Sequence, residues 1–165
     1  MLVKQNQGFT LIELMVTIAV LAIIVMAAAP SFGDMMERQQ LNSSTQNLVG
    51  ILSQARAQAT LVRSDVQVEI LSSQNELNKK YQSVQADAAQ KKALEEKRLF
   101  LWGPEAKAVL KQDISPITFE MNGTVKGATV DTTIMVCNKA QGKKSMTVSI
   151  SRMGLIQPVT SGECS

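Results

Sequence analysis

One carboxylate stands alone in the most apolar part of this chain. Between Phe9 and Ala29 there are 21 residues, and Glu13 is the only charged one among them. An acid in the middle of a membrane helix costs about 2.5–3.5 kcal/mol, so Glu13 needs a partner or a purpose. Two cysteines, Cys137 and Cys164, are the only thiols, and there is no histidine. Four cations gather late in the chain: Lys139, Lys143, Lys144 and Arg152. This inventory holds no His-based triad, no Cys–His dyad and no zinc-ligand set. No nucleophile–base pairing and no Gly-rich phosphate loop stands out either, so neither an enzyme nor a cofactor is expected.

The chemistry that remains is positional. As a helix rising about 1.5 Å per residue, Phe9–Ala29 spans roughly 30 Å, the thickness of the hydrocarbon layer. A secretory signal peptide fits poorly, because the apolar run exceeds the roughly 7–15 residues of a signal core. The anchor implies export, and two cysteines on an exported chain read as one disulfide, Cys137–Cys164, with two free buried thiols as the alternative. The formal charge of +3, from 17 basic and 14 acidic residues, does not by itself imply nucleic acid.

Past the anchor, Pro30 lacks the N–H that an inner helical turn needs and is a candidate kink. Apolar periodicity then resumes at Leu41, Leu48, Leu52, Ala55 and Ala59, with Thr45 filling the gap. Steps of three and four predict an amphipathic helix over residues 31–62, packed on a globular head. Arg56 and Arg63 read best as members of its solvated face. Val66–Leu71 alternates as a half-buried strand. Residues 72–98, rich in Gln, Ala, Lys and Glu, read as a surface helix or flexible excursion. Further strand-like runs are Leu99–Trp102, Pro116–Met121, Thr133–Cys137 and Ser145–Val159, with turns at Asn122-Gly123 and Gln141-Gly142. One long helix followed by several strands predicts an α+β head with antiparallel sheet.

The opening residues carry a resemblance. "MLVKQNQG" followed by "FTLIELMVTIAVLAIIVMAAAP" resembles the class III leader and N-terminal helix of type IV pilins and type II secretion pseudopilins. The Gly before Phe, the Glu at the fifth mature position and the Pro at mature position 22 (30 − 8) all match. The spacing in Asn47–Val66, and more weakly the runs "ITFEMNGTV" and "VSISRMGLI", resemble the GspH/FimT branch. The resemblance implies a pilin fold: residues 1–8 as leader, 9–29 as transmembrane helix, 30–165 as a periplasmic or extracellular head. It implies cleavage between Gly8 and Phe9 by a prepilin peptidase, N-methylation of Phe9, and an assembly role for the Glu13 carboxylate. Partners would be other major and minor pilins and an inner-membrane assembly platform. The chain would sit in the inner membrane before assembly and in a pilus or pseudopilus afterwards.

Three roles follow from the resemblance. The first is a minor pilin of a type IV pilus, nearest the FimU type. The second is a pseudopilin of type II secretion. The third is DNA uptake of the FimT type, associated there with a Gly-Arg-x-Arg motif. Here the matching place reads Gly154-Leu155-Ile156-Gln157, without either arginine. Lys139, Lys143, Lys144 and Arg152 would have to make the phosphate contacts, and no aromatic residues are interleaved for base stacking. DNA contact is disfavoured.

Overall fold

The computed structural model describes residues 9–164 and, within its first helix, omits the side chains of residues 27–31. The expected leader and Gly8 lie outside the described residues, as does the side chain of Pro30. Two compact units divide the chain, residues 1–36 and 37–165.

Helix α1 runs over Leu11–Val62 and is assigned without a break through Pro30. In the first unit its described apolar side chains, from Leu11 to Met26, are exposed. Among the described residues no helix is long and apolar enough to cross a membrane. In the second unit the predicted face is the buried one: Leu41, Thr45, Leu48, Leu52, Ala55 and Ala59 all lie in the core. Thr45 is tolerated there because its hydroxyl donates to the Leu41 carbonyl at 2.7 Å. The helix ends where Arg63 turns left-handed (φ 51°), and the Ser64 N–H closes on the Ala59 carbonyl at 3.3 Å.

Among the described residues seven strands follow: β1 Val66–Ile70, β2 Leu99–Trp102, β3 Val109–Leu110, β4 Ile117–Phe119, β5 Thr132–Cys137, β6 Lys144–Ile150 and β7 Thr160–Glu163. They form a three-stranded sheet, β2-β1-β4, and a four-stranded sheet, β3-β5-β6-β7. The second sheet is antiparallel throughout. In the first, β4 runs antiparallel to β1 while β2 runs parallel to it. Val66, Val68 and Ile70 join Leu48, Leu52, Phe119, Ile134, Val136, Val148 and Ile150 in one core. Each such side chain contributes about 1.5–3 kcal/mol of burial.

The parallel pair explains residues 72–98. Two parallel strands need a crossover, and this segment supplies it as α2 (Gln74–Ala86) and α3 (Ala88–Glu95). Ser73 caps α2 by accepting from the Glu76 N–H, and Asp87 caps α3 by accepting from Ala89 and Gln90. The Lys80 ammonium meets the Glu69 carboxylate at 2.8 Å. Glu69 alternates with the core-facing valines of β1, so α2 lies on the sheet face opposite to α1. The head is therefore three layers deep at this sheet.

The expected strand over Ser145–Val159 is shorter than its apolar pattern. β6 stops at Ile150 because Gly154 (φ 75°) closes a turn on the Ser151 carbonyl. The chain then returns to form β7, whose four residues are all exposed and leave no apolar signature.

Candidate functional site

Glu13 lies in the first turn of α1, and its N–H is capped by the Thr10 hydroxyl at 3.3 Å. A carboxylate in the first turn also complements the positive end of the helix dipole. Phe9 precedes the helix and is 82% exposed. Leu11, Ile12, Leu14, Met15 and Val16 surround Glu13, all exposed. Such a surface is stable only when lipid or other apolar helices cover it. A mostly apolar helical rod with one acid near its start can pack laterally and take its register from that acid.

In the head, Cys137 and Cys164 are bonded to each other, with Cα atoms 5.8 Å apart. The bridge joins the end of β5 to the residue after β7. The Cys164 N–H also donates to the Lys143 carbonyl at 3.0 Å. The tail is thus covalently fastened at the corner where β7, paired along β6, comes to its end.

The same corner is tied to α1. The Glu37 carboxylate accepts from Asn138 Nδ2 at 2.9 Å and from Lys139 Nζ at 3.1 Å. Asn138 is buried and its Oδ1 accepts from the Lys144 N–H at 3.3 Å. The Lys139 hydrogen bond, aided by that residue's charge and by Asn138, holds the Glu37 carboxyl below its ordinary value of 4.5 against a smaller opposing effect of burial. A depressed carboxylate stabilises the fold above the ordinary carboxylate range, and that contribution is lost as pH falls through the lowered value. Amide protection in the 138–144 loop is therefore expected to drop as pH is taken below 4.5, and Glu37→Gln is expected to flatten that dependence. Hydrogen exchange at several pH values, corrected for intrinsic rates, measures it. Equal pH dependence in the two proteins would remove Glu37 as the cause.

Two further polar fastenings hold α1 to the head. Ser43 and Asn47 donate to the Glu105 carboxylate at 3.3 Å each, and the Glu105 N–H donates to Ser44 Oγ at 2.9 Å. Arg56 departs from the solvated reading. It is partly buried: its Nε donates to the Gly123 carbonyl at 3.1 Å and a terminal nitrogen donates to the Met153 carbonyl at 3.3 Å. One guanidinium thereby clamps the turn after β4 and the turn after β6, one from each sheet. Gly154 is needed there twice over, for its positive φ and because a Cβ would overlap the Gly123 carbonyl oxygen. Arg63 does remain exposed.

The four late cations do not form one surface. Lys144 opens β6 with Lys143 just before it, and Lys139 is held by Glu37. Arg152 lies beyond the other end of that strand, where its N–H donates to Asp131. Six strand steps of about 3.4 Å separate the ends, roughly 20 Å. Among the described residues no three His, Cys, Asp or Glu side chains group as metal ligands.

Comparison with known families agrees with this arrangement. Residues 3–29 match the prokaryotic N-terminal methylation motif, which covers Gly8, Phe9 and Glu13. Residues 44–154, about two thirds of the chain, match the type II transport protein GspH. No curated protein and no solved structure matches significantly. An N-terminal methylation motif leading into a helix that packs on an α+β head, with the family match covering most of that head, shows that the chain belongs to the GspH family of pilins and pseudopilins.

Proposed function

We propose that the chain is a minor pilin, anchored in the inner membrane by residues 9–29 and drawn from there into a type IV pilus. The single observation that carries this reading is the exposed apolar rod from Phe9 to Met26 with Glu13 in its first turn. Exposed large apolar side chains follow one another along this helix, whereas those described in the head, such as Tyr81, Met121, Val130 and Met153, are scattered along the chain. The N-terminal helix is therefore the part built for lateral packing. In a fibre, the Glu13 carboxylate meets the N-methylated amine of Phe9 in a neighbouring subunit. The disulfide and the Glu37, Glu105 and Arg56 fastenings keep the head rigid while the helix is pulled out of lipid.

The match to the type II transport protein GspH favours a second reading, a pseudopilin serving type II secretion. DNA uptake has less support, because Arg152 stands apart from Lys143 and Lys144 and Lys139 is already paired.

Intact-mass measurement of the chain purified from membranes tests the anchor chemistry. The expected species is 157 residues long (165 − 8), begins at Phe9 and carries one added methyl. A chain that keeps Met1, or one that starts after Ala29, would overturn the assignment. Deleting the protein then separates the two roles. Lost surface fibres with intact secretion support the pilus, and the converse supports the pseudopilus.

A further inference from the structure

β2 is an edge strand of its sheet, and its outward side is apolar and unpaired. The Gln67 N–H donates to the Arg98 carbonyl at 2.9 Å and the Leu71 N–H to the Trp102 carbonyl at 2.8 Å. Backbone groups alternate along a strand, so Arg98, Phe100 and Trp102 face β1 while Leu99 and Leu101 face away. Among the described residues, the N–H and C=O groups of Leu99 and Leu101 have no hydrogen-bond partner. Natural sheets usually protect such an edge with charge, proline or a bulge. The edge strand β7 follows that rule with Thr-Ser-Gly-Glu, but β2 reads Leu-Phe-Leu-Trp.

Beside this edge lies a groove of ≈ 380 Å³. Leu77 and Tyr81 of α2 and Leu94 of α3 supply its apolar wall, and Lys97 is its one charged lining residue. Tyr81 is half exposed. Lys97 has no ion-pair partner among the described residues, and it sits in the left-handed region (φ 55°) two residues before β2 begins. No carboxylate lines the groove. An unpaired strand edge, apolar pockets for alternate side chains and a lone cation at one end are the parts needed for strand addition.

We propose that this groove binds an extended segment of a partner protein, which adds antiparallel to β2, places alternate apolar side chains against Leu77, Tyr81 and Leu94, and sets a carboxylate on Lys97. The proposed segment carries its acid at its C-terminal end, which sets its direction. Lys97 precedes β2, so a segment with its acid at the C-terminal end meets that ammonium only when it runs antiparallel. The site lies wholly in the head and does not depend on the fibre reading of the N-terminal helix.

A fluorescent peptide, Val-Thr-Val-Thr-Val-Glu with a blocked C-terminus, is the probe, titrated by anisotropy against the full chain in detergent. Saturable binding is expected, with a Kd of about 10–100 μM. Methylating the peptide nitrogens that face β2 is expected to weaken it about tenfold or more, because each removes a donor to the strand edge. Leu101→Pro removes an outward N–H, which an edge strand tolerates, and is expected to weaken binding similarly with an unchanged circular dichroism spectrum. Lys97→Gly is expected to weaken the Glu-ended peptide and leave its Gln-ended form unaffected. If Leu101→Pro does not fold, the methylated peptide against the unaltered chain carries the test. The proposal is overturned if methylated and unmethylated peptides bind alike, or if neither binds below about 1 mM. It is also overturned if the chain self-associates through an interface that Leu101→Pro abolishes, since the occupant is then a second copy.

Discussion

Glu13→Ala is expected to leave the head folded and to remove the protein from assembled fibres. Removing one partner of an ion pair in apolar surroundings costs about 3–5 kcal/mol. That is more than a hundredfold in the equilibrium between membrane and fibre. The variant should accumulate in the membrane, because an apolar residue replaces an acid there. The Glu13 side chain lies in the first unit and the whole core lies in the second, so stability of the head should not change. Quantitative blotting of sheared fibres against the membrane pool measures the ratio. A variant present in fibres at the normal level would sink the assembly role of this carboxylate.

The second large effect concerns stability. Replacing both cysteines by serine is expected to destabilise the head by about 3–4 kcal/mol, the chain-entropy value for a loop whose ends are 27 residues apart. The change should fall unevenly. β7 has no buried side chain and is otherwise held by its pairing with β6, whereas β5 and β6 contribute Ile134, Val136, Val148 and Ile150 to the core. Hydrogen exchange should therefore show β7 losing protection first and furthest, while thermal unfolding reports the total. A uniform loss across the second sheet would argue against the tail being fastened chiefly by its disulfide.

Much of this architecture was legible because it rests on local pattern. The steps from Leu41 to Ala59 marked the buried face of α1, and the alternation in Val66–Ile70 marked β1. The Asn122-Gly123 turn also fell where its dipeptide placed it, with Gly123 at φ 82°. β7 escaped because it is polar on both faces and owes its existence to pairing alone. Residues 72–98 were legible as a surface helix or excursion, but not as a two-helix crossover, because the parallel pairing of β1 with β2 that requires one leaves no local pattern. The fastenings of α1 were beyond any local pattern. Glu37 finds Lys139 across 102 residues, and Arg56 finds its two carbonyls across 67 and 97. A solvated arginine and a clamping one look alike until the turns they reach are placed. The separation of Arg152 from the three lysines likewise depends on β6 lying between them.

The corner where Cys137 meets Cys164 also imposes an order of events. A chain delivered N-terminus first brings Cys137 across 27 residues before its partner arrives. During that interval the thiol is an unpaired nucleophile, open to mixed disulfides with any other thiol nearby. In the finished head Cys137 is only 1% exposed, so oxidation must come before the corner closes over it. β7 is suited to that sequence: with all four residues exposed, it can stay undocked without uncovering the core. Formation of this one bond thus waits on delivery of Cys164, and once made it holds the tail beside the end of β5.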